Sequence, residues 1–231
     1  MSKYTHIFFD LDHTLWDTDK NAAEALGEII CELNLSSRGI TCFEKFLKCY
    51  RSHNEILWGL HAENKIGPSA LRINRFILTL KDFCIDDNDL AADIAKLFLE
   101  RTPYKKHMLP GAEDVLNYLK TKYTMSVITN GFKDSQHIKL RESGMLHYFE
   151  NIIISEEVGY NKPHPAIFHH AMQTKKLLCH QCLMVGDSFE ADVVGACAVG
   201  IDQVHLNPKK VSVSFVPTHT ISHLNELMSI L

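Results

Sequence analysis

The residues with the most evident capacity for chemistry stand together near the start of the 231-residue chain, in Asp10-Leu11-Asp12-His13-Thr14-Leu15-Trp16-Asp17. Three carboxylates this close repel one another unless they share a proton or a cation. A hard divalent ion with oxygen ligands resolves that conflict, and Mg²⁺ is the usual choice beside phosphate. Asp10 and Asp12 are therefore the leading candidates. Three further groups suit the same chemistry. Thr129-Asn130-Gly131 offers a hydroxyl, a carboxamide and a glycine that frees backbone N–H groups for an oxyanion. Gly159-Tyr160-Asn161-Lys162-Pro163 sets one lysine in a proline-fixed loop. Gly186-Asp187-Ser188 adds an acid, with Glu190 and Asp192 just beyond. Acids for a metal, donors for an oxyanion and one fixed cation are the parts that phosphoryl transfer requires.

A carboxylate that attacks phosphorus forms an aspartyl-phosphate and divides one difficult displacement into two easier ones. Asp10, at the tip of an apolar run, is the better nucleophile. Asp12, two residues on, can protonate the leaving oxygen and then deprotonate the attacking water. Asp187 would complete the metal site, and Lys162 would offset the charge of phosphate and acids.

These side chains need a scaffold. Ile7-Phe8-Phe9 reads as a fully buried strand that delivers Asp10 at its end. From Asp19 the pattern turns helical, with Ala22, Ala25, Leu26, Ile29, Ile30 and Leu33 at amphipathic spacing. Further helices are expected at about 43–60, 70–83 and 89–101, broken by Gly67-Pro68-Ser69 and Asp86-Asp87-Asn88. Beyond Leu109-Pro110-Gly111 the chain alternates: helix 112–122, strand 124–129, helix 134–143, strand 151–155, helix 165–174, strand 182–185, helix 191–199, strand 203–206. A last amphipathic helix is expected over 221–231. Alternating strands and helices argue for a doubly wound α/β core with a parallel sheet. The domains follow: a catalytic core of residues 1–17 and 106–231, and a helical cap of residues 18–105 inserted after the first strand. In such sheets ligands bind outside the carboxyl ends of the strands, where all four groups lie.

Composition bounds the partners. The chain is 45% hydrophobic and 23% charged with a net charge of −4, ordinary for a globular protein. It has no basic stripe for a nucleic-acid polymer and no apolar run of membrane-spanning length. The N-terminus runs straight into the first strand without a signal-peptide pattern. Seven cysteines in no framework spacing read as reduced thiols of a cytoplasmic protein, acting as a monomer or weak homo-oligomer. Cys179-His180-Gln181-Cys182 matches C-x-x-C but lacks a second ligand pair for zinc.

The set Asp10-Leu11-Asp12-His13-Thr14, Thr129-Asn130, Lys162-Pro163 and Gly186-Asp187-Ser188-Phe189-Glu190-Ala191-Asp192 resembles the four motifs of the haloacid dehalogenase superfamily, in order and over nearly the whole chain. The resemblance implies Asp10 as nucleophile and Asp12 as general acid/base. It implies Mg²⁺ held by Asp10, the Asp12 carbonyl and Asp187, with Asp192 supporting the metal waters. Thr129, Asn130, Gly131 and Lys162 would bind phosphate. Members that attack carbon lack the second aspartate, so Asp12 favours a phosphatase. Mutases of the family usually carry Gly-Val where this chain has His13-Thr14. In the cap, Asn54 to Trp58, Ile66, Leu71-Arg72 and Arg75-Phe76 resemble the corresponding segment of bacterial pyrimidine 5′-nucleotidases. That likeness implies a small phosphate ester, a pyrimidine nucleoside 5′-monophosphate, as substrate. Trp58, Arg72 and Arg75 become candidate substrate contacts. A phosphatase for phosphoglycolate or a sugar phosphate fits the same core. A signalling receiver also gathers Asp, Thr and Lys around Mg²⁺, but Asp12 and the long insertion argue against one.

Overall fold

A computed structural model describes residues 3–63 and 65–231. The chain divides into two compact units, one formed by the residues up to Thr18 with Lys106–Leu231, the other by Asp19–Lys105.

The first unit is built on six parallel strands: β1 (His6–Phe9), β2 (Thr124–Thr129), β3 (Asn151–Ile154), β4 (Cys182–Gly186), β5 (Asp202–Leu206) and β6 (His219–Ile221). Their order is β3-β2-β1-β4-β5-β6. Successive side chains of β1 face opposite ways, so Ile7 and Phe9 enter one apolar core and Phe8 the other. A strand buried on both faces must be apolar throughout, as Ile7-Phe8-Phe9 is.

The insertion comprises α1 (Thr18–Glu32), α2 (Phe43–Ala62), α3 (Pro68–Lys81) and α4 (Asn88–Arg101). Pro68 occupies the first turn of α3, where its missing N–H costs nothing. The Asp87 carboxylate caps α4 by accepting from Leu90 N at 2.8 Å. Leu26, Ile29, Phe46, Phe76 and Phe98 bring the four helices to one buried core.

Returning to the sheet, the chain forms α5 (Ala112–Leu119), α6 (Lys133–Glu142), α7 (Ser155–Val158), α8 (Pro165–Gln173), α9 (Gly195–Ala198) and α10 (Leu227–Ile230). Helices α5, α6 and α10 line the core that holds Ile7 and Phe9, while α8 and α9 line the one that holds Phe8. The α/β sheet with a helical insertion after its first strand is as the sequence implies.

Ser155, expected as the end of a strand, instead opens α7, and two longer stretches also differ from expectation. Ile221 ends strand β6 rather than opening a helix. The Glu226 carboxylate accepts from Ser222 N and His223 N, both at 2.8 Å, so helical structure starts only at Leu224. The second is the expected 191–199 helix. It begins as a π-helical turn, Phe189–Val194, before tightening into α9. Such widened turns gather at functional sites, and this one carries Asp192.

Strand order sets where a ligand enters. From β1 the sheet grows one way through β2 and β3, and the other way through β4, β5 and β6. The loops leaving β1 and β4 therefore diverge, and the crevice lies at their carboxyl ends.

Candidate active site

Asp10 follows directly on β1, its amide donating to Val185 O on β4 at 2.9 Å. The next residues fold into a tight loop in which Leu11 O accepts from the amides of Leu15 and Trp16, at 3.0 and 2.9 Å. His13 adopts the left-handed conformation at φ 64°, which turns the chain back on itself. Asp187 and Asp192 arrive from the loop after β4. Carboxylate oxygens of Asp10, Asp187 and Asp192 all lie within 4.8 Å of one another.

Lys162 reaches into this group from the loop before α8. Its Nζ donates to Asp10 Oδ1 and Asp192 Oδ1, each at 2.6 Å, and to Ile128 O at 2.7 Å. The lysine is 1% exposed. Burial alone would push its pKa down, but Asp10 and Asp192 raise it further, so the ammonium stays charged. Asn130 fixes the loop that carries it. The Asn130 carboxamide donates to Lys162 O at 2.9 Å and accepts from Lys162 N at 2.8 Å. Both ends of that side chain are thus engaged with Lys162, whereas sequence reasoning directed it at phosphate. Thr129 Oγ1 accepts from Gly131 N at 2.9 Å and donates to Gln136 Oε1 at 3.2 Å.

Two glycines are dictated by close approach. A Cβ on Gly186 would lie 2.1 Å from Asp192 Oδ2, and one on Gly131 would lie 2.2 Å from the Gln136 amide nitrogen. Only glycine lets Asp192 and Gln136 come so near the strand ends. Ser188 N completes the hold on Asp192, donating to Oδ2 at 3.0 Å.

The electrostatics of the cluster favour a bound cation. Burial raises the pKa of Asp10, and Asp192 adds to the rise against the pull of Lys162. Burial and Asp10 likewise raise Asp187, and burial raises Asp192. Asp12 behaves oppositely. Burial would raise it, but its contact with Lys139 outweighs burial and holds it low. Asp10, Asp12, Asp187 and Asp192 bring four negative charges, and Lys162 and Lys139 bring two positive ones. A divalent cation balances the remainder, and three hard carboxylates at this spacing suit Mg²⁺.

Sequence reasoning missed Lys139, Gln136 and Thr18. Their signal was faint: α6 is strongly polar, yet it buries Ser135, Gln136 and Lys139 on one face. A helix that buries polar residues is facing a polar site.

The cap candidates lie in the other unit. Trp58 on α2 is half-buried, its ring edge-on to His61 at 5.7 Å. Arg72 on α3 is half-buried as well. Arg75 departs from the expected substrate role. It is 4% exposed, donates to Asn54 Oδ1 at 3.1 Å and to Arg72 O at 3.3 Å, and packs its guanidinium against Tyr50, Phe76 and Phe98. Arg75 is a core residue of the bundle, stabilised by the aromatic faces.

Residues 4–200 match the haloacid dehalogenase-like hydrolase family. The chain is similar to the HAD-hydrolase YfnB of Bacillus subtilis, solved bound to magnesium, with a TM-score of 0.88, 26% identity and 99% of each chain covered. It is 30% identical to the pyrimidine 5′-nucleotidase YjjG of Escherichia coli over 233 residues, covering 99% of this chain and 98% of YjjG. It is also 30% identical to the glyceraldehyde 3-phosphate phosphatase of Pyrococcus abyssi over 199 residues, covering 86% of this chain and 79% of that protein. Among the described residues, no helix is long and apolar enough to cross a membrane.

Proposed function

The chain belongs to the haloacid dehalogenase-like hydrolases, and within that family we propose that it is a Mg²⁺-dependent phosphatase of nucleoside 5′-monophosphates, acting through an aspartyl-phosphate. The observation that carries the chemistry is the cluster of Asp10, Asp187 and Asp192 within 4.8 Å, built around the buried Lys162.

Asp10 and Asp187 would hold the ion, with Asp192 and the Asp12 carbonyl supporting it. When bound, Mg²⁺ supplies positive charge against the phosphoryl oxygens. Lys162 holds Asp10 by Oδ1, which leaves Oδ2 to attack phosphorus. As the Asp10–phosphorus bond forms, the ester bond breaks, and the leaving oxygen takes a proton from Asp12. Water then attacks the same phosphorus and gives its proton to Asp12, which releases phosphate and restores the Asp10 carboxylate. The Thr129 hydroxyl, at the end of β2, would turn from Gln136 to a phosphoryl oxygen, while Gly131 N–H holds Thr129 Oγ1 in place.

The nucleotide assignment rests on the likeness to YjjG over the full chain and on Trp58 and Arg72, an aromatic and a cationic side chain suited to a base and its polar edge. A second reading, a phosphatase for a small metabolite such as a sugar phosphate or phosphoglycolate, is favoured by the equal identity to the Pyrococcus abyssi enzyme. Phosphate release with Mg²⁺ across UMP, dUMP, dTMP, sugar phosphates and phosphoglycolate separates them. Preference for the pyrimidine nucleotides supports the first reading, and preference for the metabolites replaces it with the second.

A further inference from the structure

Asp12 is held by a residue outside the four motifs. Lys139, on α6 and 8% exposed, donates from Nζ to Asp12 Oδ1 at 2.5 Å. Its ammonium also lies 4.3 Å from the centre of the Trp16 ring, which fixes the lysine on its other side. Thr18 Oγ1 donates to the same Asp12 oxygen at 3.1 Å and accepts from His13 N at 3.0 Å. One carboxylate oxygen therefore has two donors. The other, Oδ2, has no hydrogen-bond partner among the described residues, and the Asp12 side chain is 24% exposed.

Resting on the hydrolase reading above, we propose that Lys139 is a positioning residue for proton transfer, gripping Asp12 by Oδ1 so that Oδ2 faces the ester oxygen. The two buried lysines divide the work. Lys162 holds the nucleophile and the metal side of the site, and Lys139 holds the proton donor. A long side chain costs conformational entropy to immobilise and charge desolvation to bury. The Trp16 face and the Asp12 carboxylate together repay that cost at one geometry. Asp12, a carboxylate in the free protein, takes the proton of the monoanionic phosphate ester at Oδ2 and passes it to the departing ester oxygen as phosphorus transfers to Asp10, and Lys139 keeps the restored carboxylate in place.

A purely structural lysine and a positioning one differ in leaving-group dependence. An alkyl ester needs its leaving oxygen protonated, whereas the p-nitrophenolate of an aryl ester leaves without help. The test compares kcat/KM, which reports transfer to Asp10 and excludes the later hydrolysis. Wild type, Lys139→Met, Lys139→Arg and Asp12→Asn are assayed with UMP and with p-nitrophenyl phosphate, and each variant's melting curve is recorded. Lys139→Met should lower kcat/KM on the alkyl ester about 100-fold and on the aryl ester less than about threefold. Lys139→Arg should regain at least about tenfold on the alkyl ester, since it restores a donor to Oδ1. Equal losses on both esters, or no loss, would overturn the inference. A leaving-group split in Asp12→Asn without one in Lys139→Met would overturn it alone and spare the hydrolase reading. Wild-type protein inert on both esters would overturn that reading and this inference with it.

Discussion

Replacing Lys162 with methionine keeps the side-chain volume and removes the charge that holds the acid cluster together. Three donated bonds disappear, at 2.6, 2.6 and 2.7 Å. Asp10 and Asp192, 7% and 1% exposed, remain buried without that cation. Breaking a buried ion pair by removing one partner costs about 3–5 kcal/mol. For a chain of this size each kcal/mol moves Tm by about 2–4 °C, so Lys162→Met should melt about 6–20 °C below wild type in EDTA. The orphaned carboxylates can take up protons, so the deficit should shrink toward about pH 5 and grow toward about pH 8. Saturating Mg²⁺ should raise the variant's Tm by more than it raises wild type's, because the ion supplies the missing counter-charge. Thermal melts at both pH values, with EDTA and with Mg²⁺, read all three effects. A variant within about 2 °C of wild type in EDTA at the higher pH would refute the reasoning. So would a deficit that grows on acidification.

Three other outcomes are expected. In metal-free wild type, Asp10 and Asp187 are raised to about 6 by burial and by neighbouring acids, so the folded state binds protons more tightly than the unfolded one. Urea titrations in EDTA should then show stability falling by about 3–6 kcal/mol as pH rises from about 4 through about 6, and Mg²⁺ should abolish the fall. A flat profile in EDTA would contradict this. His6, lowered to about 4 chiefly by burial, has the opposite sign. Its contribution, at most about 3 kcal/mol, is complete above about pH 6.5 and lost as pH falls to about 4. Measured with Mg²⁺, His6→Gln should lose that acid sensitivity, and an unchanged slope would count against it. Finally, Gly186→Ala drives a methyl group against Asp192 Oδ2. Mg²⁺ affinity, read by titration, should drop about 10–100-fold while the protein stays folded, and unaltered affinity would remove Asp192 from the metal's support.

The sequence made some of this molecule legible and hid the rest for physical reasons. Strands β1, β2 and β4 were visible because each leads to a residue with chemistry, as Ile7-Phe8-Phe9 ends at Asp10, and β3 and β5 through their place in the alternation of strands and helices. Helices α1 to α4 were visible through their period, with breaks at Pro68 and Asp87. Strand β6 was hidden because His219-Thr220-Ile221 is an edge strand of three residues that buries only Ile221, which also fits the helical spacing that follows. Lys139 was hidden because a lysine on a polar helix looks like a solvated charge until the strand order brings α6 over the site. Arg75 misled for the converse reason. An arginine at helical spacing gives no sign that three aromatic rings will enclose it. Asn130 was placed at the right strand end, but its hydrogen-bond partner, the backbone of Lys162, depends on a contact between residues 32 apart.

The central claim is that Asp10 carries the phosphoryl group, and trapping that intermediate tests it most directly. Wild type and Asp10→Asn would be mixed with Mg²⁺ and a substrate that wild type hydrolyses, quenched in acid within the first turnover, and mapped by peptide mass spectrometry. The account predicts a phosphoryl adduct on the Asp10 side chain of wild type, with neither adduct nor turnover in Asp10→Asn. Sustained phosphate release by Asp10→Asn, or wild-type turnover with the adduct on another residue, would contradict it.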